Sequence, residues 1–487
     1  MLFNSAIFLF LFLPVVVVIY KSLLAYKYDH LGKIFILISS LFFYSYWKIE
    51  FLPLLLASIL INYLTGYLIQ SGSFNRSIYA LVVGIGFNLS LLGYFKYKVF
   101  ILSIFAPTTD GTYAVPELVL PLAISFFTFQ QIAYLVDCYK GSAKEYSLLN
   151  YAVFVSFFPQ LIAGPIVHHG QMMPQFAKLN SESSNVKLAL FVQGIFIFSI
   201  GLFKKVCIAD TFAVFADVGF ELVELGQMDA WVTSLSYSMQ LYYDFSGYSD
   251  MAVGAALMFG LKLPINFDSP YKATSIREFW RRWHITLSNW LRDYVFIPMG
   301  GSRNGLVRTC FCLILTFLVG GIWHGAGWTF IIWGSLHGFA VVIHRFWMLA
   351  GIKLPAIIGW FLTFNFVNVA WIIFRAEDVE SALRIASQMF KFDFQPLSGT
   401  YLYKVMSTAD SPIFAAISTP MGGMIAVIFP IAIVVTALLK NTYELSGYKL
   451  SMVQINHLKV ALAATAASAA IIKILSGTPS AFLYFNF

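Results

Sequence analysis

The stretch LVGGIWHGAGW, from Leu318 to Trp328, joins two long apolar runs near residues 307–322 and 326–349. Both runs are too long for ordinary strands, and neither shows the strict alternation of polar and apolar residues that a membrane β-barrel requires. Glycines surround the single histidine, His324, and weaken a helix at this point. We therefore expect two helices in apolar surroundings, with His324 at their junction and facing a cavity.

The composition extends this interpretation to the whole chain of 487 residues. Hydrophobic residues make up 59% of it and charged residues only 11%, whereas a soluble domain carries roughly 25% charged residues. The recurring apolar runs predict an all-α integral membrane protein with about 11–13 membrane-spanning or re-entrant helices. We interpret residues 1–487 as a single membrane domain with a surface loop at 377–410, in which residues 379–390 fit a short interfacial helix.

The net charge of +8 does not indicate nucleic-acid binding. Lysines and arginines stand at the ends of apolar runs, as at Lys21 and at Lys204–Lys205, which is how multi-pass proteins anchor their cytoplasmic loops. The expected partner of this surface is therefore the lipid bilayer. The four cysteines form no C-x-x-C pair, so we expect no metal site.

A polar segment, SIREFWRRWHITLSNWLRDY at residues 275–294, begins with the S-x-x-E pattern of a helix capping box. Steps of three and four residues place five polar side chains on one stripe of a continuous helix. They are Arg277, Arg281, His284, Ser288 and Arg292. Two interpretations remain open: an interfacial anchor, or a site for a polyanion such as the phosphates of a cytoplasmic acyl donor, since guanidinium pairs bidentately with phosphate.

A third polar segment, LYYDFSGYSD at residues 241–250, places Asp244 inside an apolar run. A buried carboxylate requires a partner, and an arginine or histidine of the other polar segments is the one we expect. A structural ion pair and a role at a functional site are both compatible with this position. The same choice holds for His324, which is either a hydrogen-bonded core residue or a catalytic group.

Taken together, these segments resemble the membrane-bound O-acyltransferase superfamily. The resemblance rests on REFWRRWHITLSNWLRDYVFIPMGG at 277–301 and GGIWHGAGW at 320–328, with FFPQLIAGPIVHHGQMMPQF at 157–176 and PINFDSPYKATS at 264–275. It is strongest with the bacterial branch of alginate, peptidoglycan and cellulose O-acetyltransferases and teichoic acid D-alanyl transferases. The motifs define a core at residues 120–345.

The resemblance implies a ring of tilted helices around a central tunnel. It implies a multi-pass protein of the bacterial cytoplasmic (inner) membrane that passes an acetyl group from a cytoplasmic thioester, acetyl-CoA, to an exported polysaccharide. No other cofactor is expected, and a periplasmic acetyltransferase or SGNH-type protein is the expected partner. His324 matches the family's histidine in the apolar segment and would act as general base. His284 matches the histidine of the R-W-H motif and is the second expected catalytic residue; either it or a backbone N–H near Gly320–Gly321 would stabilise the oxyanion.

On the same basis we expect substrate-binding roles for six further residues. They are Arg277, Arg281, Arg282, Ser288, Asp244 and Trp323. In the aromatic tail AFLYFNF at 481–487, Tyr484 is either a residue of the aromatic belt at the membrane surface or, as the resemblance implies, a transient carrier of the acyl group. Two alternatives for the whole chain remain: transfer of D-alanine from a carrier protein, and a polytopic transporter.

Overall fold

The computed structural model describes residues 1–105, 119–144, 147–178, 184–391, 393, 396–408, 432, 436, 438–448, 455–477 and 480–483. Within these ranges the regular structure is helical, and no residue of them lies in a strand. The all-α fold class predicted from the apolar runs is therefore confirmed. The polar stretch at 106–117, which we expect to be a surface loop, and most of the apolar run near 412–438 lie outside the described residues.

The chain forms two compact units. The first contains residues 1–199, 248–265 and 450–455, and the second contains residues 200–247, 266–449 and 456–487. Two helices, Ser184–Phe203 and Gln227–Met258, contribute residues to both units.

The first unit is built from the N-terminal helices around an aromatic core. The ring of Phe8 packs 5.8 Å from that of Phe43 and 6.2 Å from that of Phe158. Its helices are Phe8–Phe12, Leu13–Ala25, Asp29–Ser45, Ile49–Phe51, Leu52–Ser71, Phe74–Leu92, Gly93–Tyr97, Lys98–Phe105, Ile124–Tyr139, Leu148–Ser156, Phe158–Leu161 and His169–Lys178. The motif at 157–176 thus forms two short helices in this unit.

The second unit carries the other motifs. Its helices are Lys204–Ala209, Asp210–Glu221, Pro270–Lys272, Ile276–Arg282, Ile285–Leu291, Arg292–Phe296, Leu306–His324, Trp328–Leu349, Ala356–Arg375, Val379–Met389, Gly399–Thr408, Thr442–Ser446 and His457–Ser476. The predicted surface loop at 377–410 contains two of these helices, of which Val379–Met389 falls in the stretch 379–390 expected to be helical and Gly399–Thr408 was not expected. The first, Val379–Met389, starts after Asp378, whose side chain accepts a hydrogen bond from the amide of Ser381.

Eight helical segments in the described ranges are long and apolar enough to cross a membrane. They are Phe8–Ala25, Ile49–Ser71, Phe74–Phe105, Val186–Glu221, Leu306–His324, Trp328–Leu349, Ala356–Arg375 and His457–Ser476. Other predicted apolar runs form helices too short to span about 30 Å of hydrocarbon, such as the nine residues of Leu148–Ser156.

Candidate active site

His324 is the last residue of the helix Leu306–His324. The next helix, Trp328–Leu349, begins after the short glycine-containing turn, so the predicted junction is present. The imidazole is only 4% exposed, and it forms part of the wall of a cavity. The sequence-based placement of His324 at a helix junction facing a cavity is confirmed.

Glycines allow these two helices to pack in direct backbone contact. A Cβ atom on Gly321 would lie 2.4 Å from the carbonyl oxygen of Phe330 and 3.0 Å from the Cα atom of Gly334. A Cβ atom on Gly334 would in turn lie 2.6 Å from the carbonyl oxygen of Phe317. Since no larger residue fits at these two positions, the glycines set the distance between the helices and thereby the depth at which His324 lies.

The polar segment at 275–294 does not form the continuous helix that its spacing predicts. The helix Ile276–Arg282 ends and the helix Ile285–Leu291 begins two residues later, because His284 adopts the left-handed conformation with φ 41° and ψ 54°. This backbone conformation is uncommon for a residue with a Cβ atom and costs free energy. The prediction of one polar stripe is therefore wrong. Arg277 and Arg281 are exposed, whereas His284 is completely buried.

The break between these two helices is stabilised by hydrogen bonds to the motif PINFDSPYKATS at 264–275. The amide of Ile285 donates to the carbonyl oxygen of Asn266 at 2.9 Å, and the amide of Asp268 donates to the carbonyl oxygen of Arg282 at 2.9 Å. The side-chain oxygen of the buried Asn266 accepts a hydrogen bond of 2.6 Å from the hydroxyl of Thr286. These bonds lie on both sides of His284 and satisfy backbone groups that a continuous helix would have paired.

The two histidines face each other across the site. The centroids of the His284 and His324 rings are 6.4 Å apart. Trp323 lies against both, with its ring 4.8 Å from that of His324 and 6.1 Å from that of His284. Trp333 and Phe374 each lie 5.2 Å from His324, so aromatic rings pack around its imidazole.

His284 lies outside the eight membrane-spanning helices, and its environment determines its charge. Burial lowers the pKa of its imidazole to about 3, because a charged ring would lose its hydration. His284 is therefore neutral at pH 7, with one ring nitrogen that donates a hydrogen bond and one that accepts.

A cavity of about 220 Å³ adjoins His324. Most of its wall is apolar, and the polar side chains at its edge come from Ser288, Arg292 and Thr316. The lining residues are Trp280, Leu287, Ser288, Leu291, Arg292, Phe296, Leu313, Thr316, Phe317, Gly320, His324 and Trp333. Of the predicted substrate-binding residues, Ser288 is thus at the cavity, together with Arg292.

The other three predicted arginines lie away from the cavity wall. Arg277 and Arg281 are exposed on the helix Ile276–Arg282. Arg282 is half-buried and already paired: its guanidinium donates to Glu278 at 2.8 and 3.0 Å and to the carbonyl oxygen of Asp268 at 3.0 Å. Arg282 therefore stabilises the chain before the break, while the other two are available to an external anion.

The predicted ion pair between Asp244 and an arginine or histidine is not formed. Asp244 pairs with Lys205 at 2.7 Å and not with an arginine or histidine of the other polar segments. Lys205 is only 2% exposed, so it does not anchor a cytoplasmic loop as its place at the end of an apolar run suggested. The helical segment continues past it to Glu221, which brings its ammonium group into the interior.

Two residues that the sequence did not assign to the site support its walls. The indole N–H of Trp280 donates to Nδ1 of His337 at 3.2 Å, and the ring of Trp280 lines the cavity. His337 is fully buried. The pattern Trp-x-x-x-His-Gly at 333–338 was the available signal, but only the fold shows which tryptophan the histidine binds.

Tyr484 lies outside the described residues, so its predicted role stays a prediction. Within the part of the chain that the structure describes, no group of three or more His, Cys, Asp or Glu residues is arranged to hold a metal ion.

Comparisons with known proteins agree with these motifs. The profile of the MBOAT, membrane-bound O-acyltransferase, family matches residues 139–376. The peptidoglycan O-acetyltransferase of Helicobacter pylori is 45% identical, covering 100% of this chain and 98% of the relative. A probable alginate O-acetylase of Azotobacter vinelandii is 43% identical over 82% of this chain and 80% of the relative. A teichoic acid D-alanyltransferase of Streptococcus thermophilus is 29% identical over 55% of this chain and 70% of the relative.

The matched segment includes both histidines, the cavity and the glycine-packed helix pair. Together with the eight apolar helices, it identifies a multi-pass membrane protein and an acyl-transferring enzyme, in place of the transporter that the buried charges also allowed. The chain belongs to the membrane-bound O-acyltransferase family and is an O-acyltransferase.

Proposed function

We propose that this chain transfers an acetyl group from acetyl-CoA on the cytoplasmic side of the bacterial inner membrane to a hydroxyl group of an exported envelope polysaccharide. The observation that carries the proposal is the position of His324 in the wall of an apolar cavity, with the ring of His284 6.4 Å from that of His324. The full-length similarity to a peptidoglycan O-acetyltransferase supports acetyl as the transferred group and peptidoglycan as the first acceptor to test.

His324 acts as the general base in this mechanism. It takes the proton of the attacking hydroxyl as the new C–O bond forms at the thioester carbonyl, and it returns that proton to the sulfur as the C–S bond breaks. A neutral imidazole is required for the first step, and the rings of Trp323, Trp333 and Phe374 pack around it.

His284 stabilises the oxyanion. Since burial keeps its imidazole neutral, it has one N–H to donate to the carbonyl oxygen as negative charge develops there. The left-handed backbone of His284 and the bonds from Asn266 hold this donor in place before substrate binds. Such preorganisation is what makes a single donor effective in a site without water.

The acyl donor, acetyl-CoA, contacts the protein in two places. The cavity of about 220 Å³ is large enough for the acetyl group and the thioester end of the pantetheine arm, with Ser288 and Arg292 at its edge. Arg277 and Arg281, exposed on the preceding helix, bind the phosphates of coenzyme A. Arg282 supports this helix through Glu278 and contributes no direct contact.

Two further elements complete the proposal. Tyr484 carries the acetyl group briefly between donor and acceptor. In this relay the phenolic oxygen of Tyr484 makes the first attack: it forms an ester with the acetyl carbon as the C–S bond breaks, and its proton passes through His324 to the leaving sulfur. The acceptor hydroxyl then attacks this ester, and its proton passes through His324 to the phenolic oxygen as the ester bond breaks. A periplasmic acetyltransferase or SGNH-type protein receives the group and determines the acceptor, which fits a branch whose relatives are named for peptidoglycan and for alginate.

The test uses the purified full chain in proteoliposomes with acetyl-CoA labelled in the acetyl group. We expect hydrolysis or transfer of the label to a soluble glycan acceptor, and a loss of about 100-fold or more in the His324→Gln variant. Full activity of that variant would contradict the assignment of the base. A parallel reaction with a D-alanyl carrier protein tests the other acyl group found in the family; activity with that donor alone would replace acetyl by D-alanyl.

A further inference from the structure

A buried lysine lies where the apolar helical segment Val186–Glu221 passes through the second unit. The ammonium group of Lys205 donates to Asp210 at 2.8 Å and to Asp244 at 2.7 Å. Both Lys205 and Asp244 are only 2% exposed. Burial of such charges costs several kcal/mol of desolvation, and apolar residues of the same size often replace them without loss of stability. A buried pair of this kind therefore calls for a reason other than stability.

The C-terminal tail provides that reason, because three consecutive residues of it contact the pair. The carbonyl oxygen of Ala481 accepts a hydrogen bond of 3.0 Å from Lys205 Nζ. The ring of Phe482 lies 4.9 Å from the same ammonium group and is only 1% exposed. The amide of Leu483 donates to Asp244 Oδ2 at 3.1 Å.

The hydrogen-bonding capacity of the lysine is fully used in this arrangement. An ammonium group has three N–H donors, and Lys205 directs them to Asp210, Asp244 and the carbonyl oxygen of Ala481. The tail therefore supplies a ligand that the two carboxylates do not. Asp244 is likewise shared between the lysine and the backbone of the tail.

This cluster is next to the active site in sequence and in structure. Phe245 follows Asp244 in the helix Gln227–Met258, and its ring lies 4.8 Å from that of His284. The residue that follows Asp244 is thus in contact with the oxyanion donor of the proposed mechanism.

We propose that Lys205 and Asp244 form a docking site for the C-terminal tail of this same chain and are positioning residues for its end. They hold the backbone at Ala481 and Leu483, the residues that lead directly to Tyr484. The inference rests on the proposed function in one respect only, namely that Tyr484 is the residue delivered to the site.

The Leu483→Pro variant tests the docking without disturbing the ion pair. Proline removes the amide N–H that Asp244 accepts, whereas the matched Leu483→Ala variant keeps it. Chymotrypsin needs extended, unpaired backbone on both sides of the bond that it cleaves, and Ala481 and Leu483 are held by Lys205 and Asp244. The initial rate of cleavage after Tyr484, followed by intact mass spectrometry and divided by the rate for a free peptide of the same tail sequence, therefore reports the undocked population. We expect cleavage about 10-fold faster or more for Leu483→Pro and less than about 3-fold faster for Leu483→Ala.

A second pair of variants tests the lysine itself. Lys205→Met should also expose the tail, whereas Lys404→Met, which removes an exposed ion pair with Glu221, should leave the cleavage rate unchanged. If Lys205→Met does not fold, the two Leu483 variants still decide the question. Equal cleavage rates for wild type, Leu483→Pro and Lys205→Met would overturn the docking site.

Activity separates docking from the proposed function. With acetyl-CoA, Leu483→Pro should lower kcat about 10-fold or more at an unchanged KM and an unchanged melting temperature, since the donor cavity does not include the tail. A parallel loss of melting temperature would reduce the cluster to a structural role and overturn the positioning role. The cleavage assay needs no substrate, so it decides the docking even if the chain transfers no acetyl group.

Discussion

The distance between His284 and His324 leads to a quantitative prediction about how their substitutions combine. The ring centroids are 6.4 Å apart. With each ring nitrogen about 1.2 Å from its centroid, two nitrogens can be no closer than about 4 Å, beyond the roughly 3 Å of a direct hydrogen bond. A substrate oxygen placed between two nitrogens at that separation would be within hydrogen-bonding distance of both. The two imidazoles should therefore act on the same reacting group.

The prediction is tested with the single variants His324→Gln and His284→Gln and with the double variant. Glutamine keeps most of the side-chain volume in a pocket closed by Trp323 and Trp333. Loss of the general base should lower kcat by about 10²–10⁴, and loss of the oxyanion donor by about 10²–10³. Independent effects would multiply in the double variant, whereas residues that act as a unit lose little more together than the more damaging single change does.

The assay is the initial rate of acetyl transfer from labelled acetyl-CoA by the full chain in proteoliposomes. Thermal unfolding and elution volume show whether each variant is folded. We expect the double variant to lie within about 10-fold of the slower single variant. A His324→Gln variant with wild-type activity, or a double variant whose loss equals the product of the single losses, would refute the shared-oxygen geometry.

Three further predictions concern stability and positioning. Since the pKa of His284 is about 3 in the folded chain and about 6.5 when unfolded, its contribution to stability is complete above pH 6.5 and is lost as the pH falls toward 3. Between pH 7.5 and 5, wild type should lose about 2 kcal/mol more unfolding free energy than His284→Gln, and an equal loss would contradict burial as the cause. Asn266→Ala should cost about 1–3 kcal/mol, because a buried hydroxyl loses its acceptor, and should lower kcat more than it changes KM. Gly321→Ala should cost about 1–3 kcal/mol by overpacking, while Gly327→Ala, whose Cβ would lie 3.7 Å from its nearest neighbour, should cost less than about 1 kcal/mol in the same thermal unfolding experiment.

Much of the architecture was predictable because it depends on local composition. Long apolar runs must form helices in a bilayer, where each backbone polar group needs a partner within its own segment. The same reasoning applies to the turn at His324, because glycines such as Gly325 and Gly327 weaken a helix at the point where they stand. These predictions require no knowledge of which segments contact one another.

The break at His284 was not predictable from periodicity. The spacing of Arg277, Arg281 and Ser288 fits one helix, and the residues that interrupt it lie in a different segment. Asn266 accepts the amide of Ile285 and so replaces a helical hydrogen bond by a tertiary one. Helical periodicity describes neighbours along the chain, and it contains no information about a competing partner 19 residues earlier.

The sequence by itself determined the membrane-embedded helical class and the two histidines, because hydrophobicity and glycine content act locally and the motifs are contiguous. Only the tertiary structure decided the partners of the buried charges. Lys205 lies at the end of an apolar run, where the sequence predicts a surface anchor. In the fold it contacts Asp244 and Ala481, which are 39 and 276 residues further along the chain. A buried charge takes whichever opposite charge or carbonyl the packed helices bring within about 3 Å, and that proximity exists only after the chain has folded.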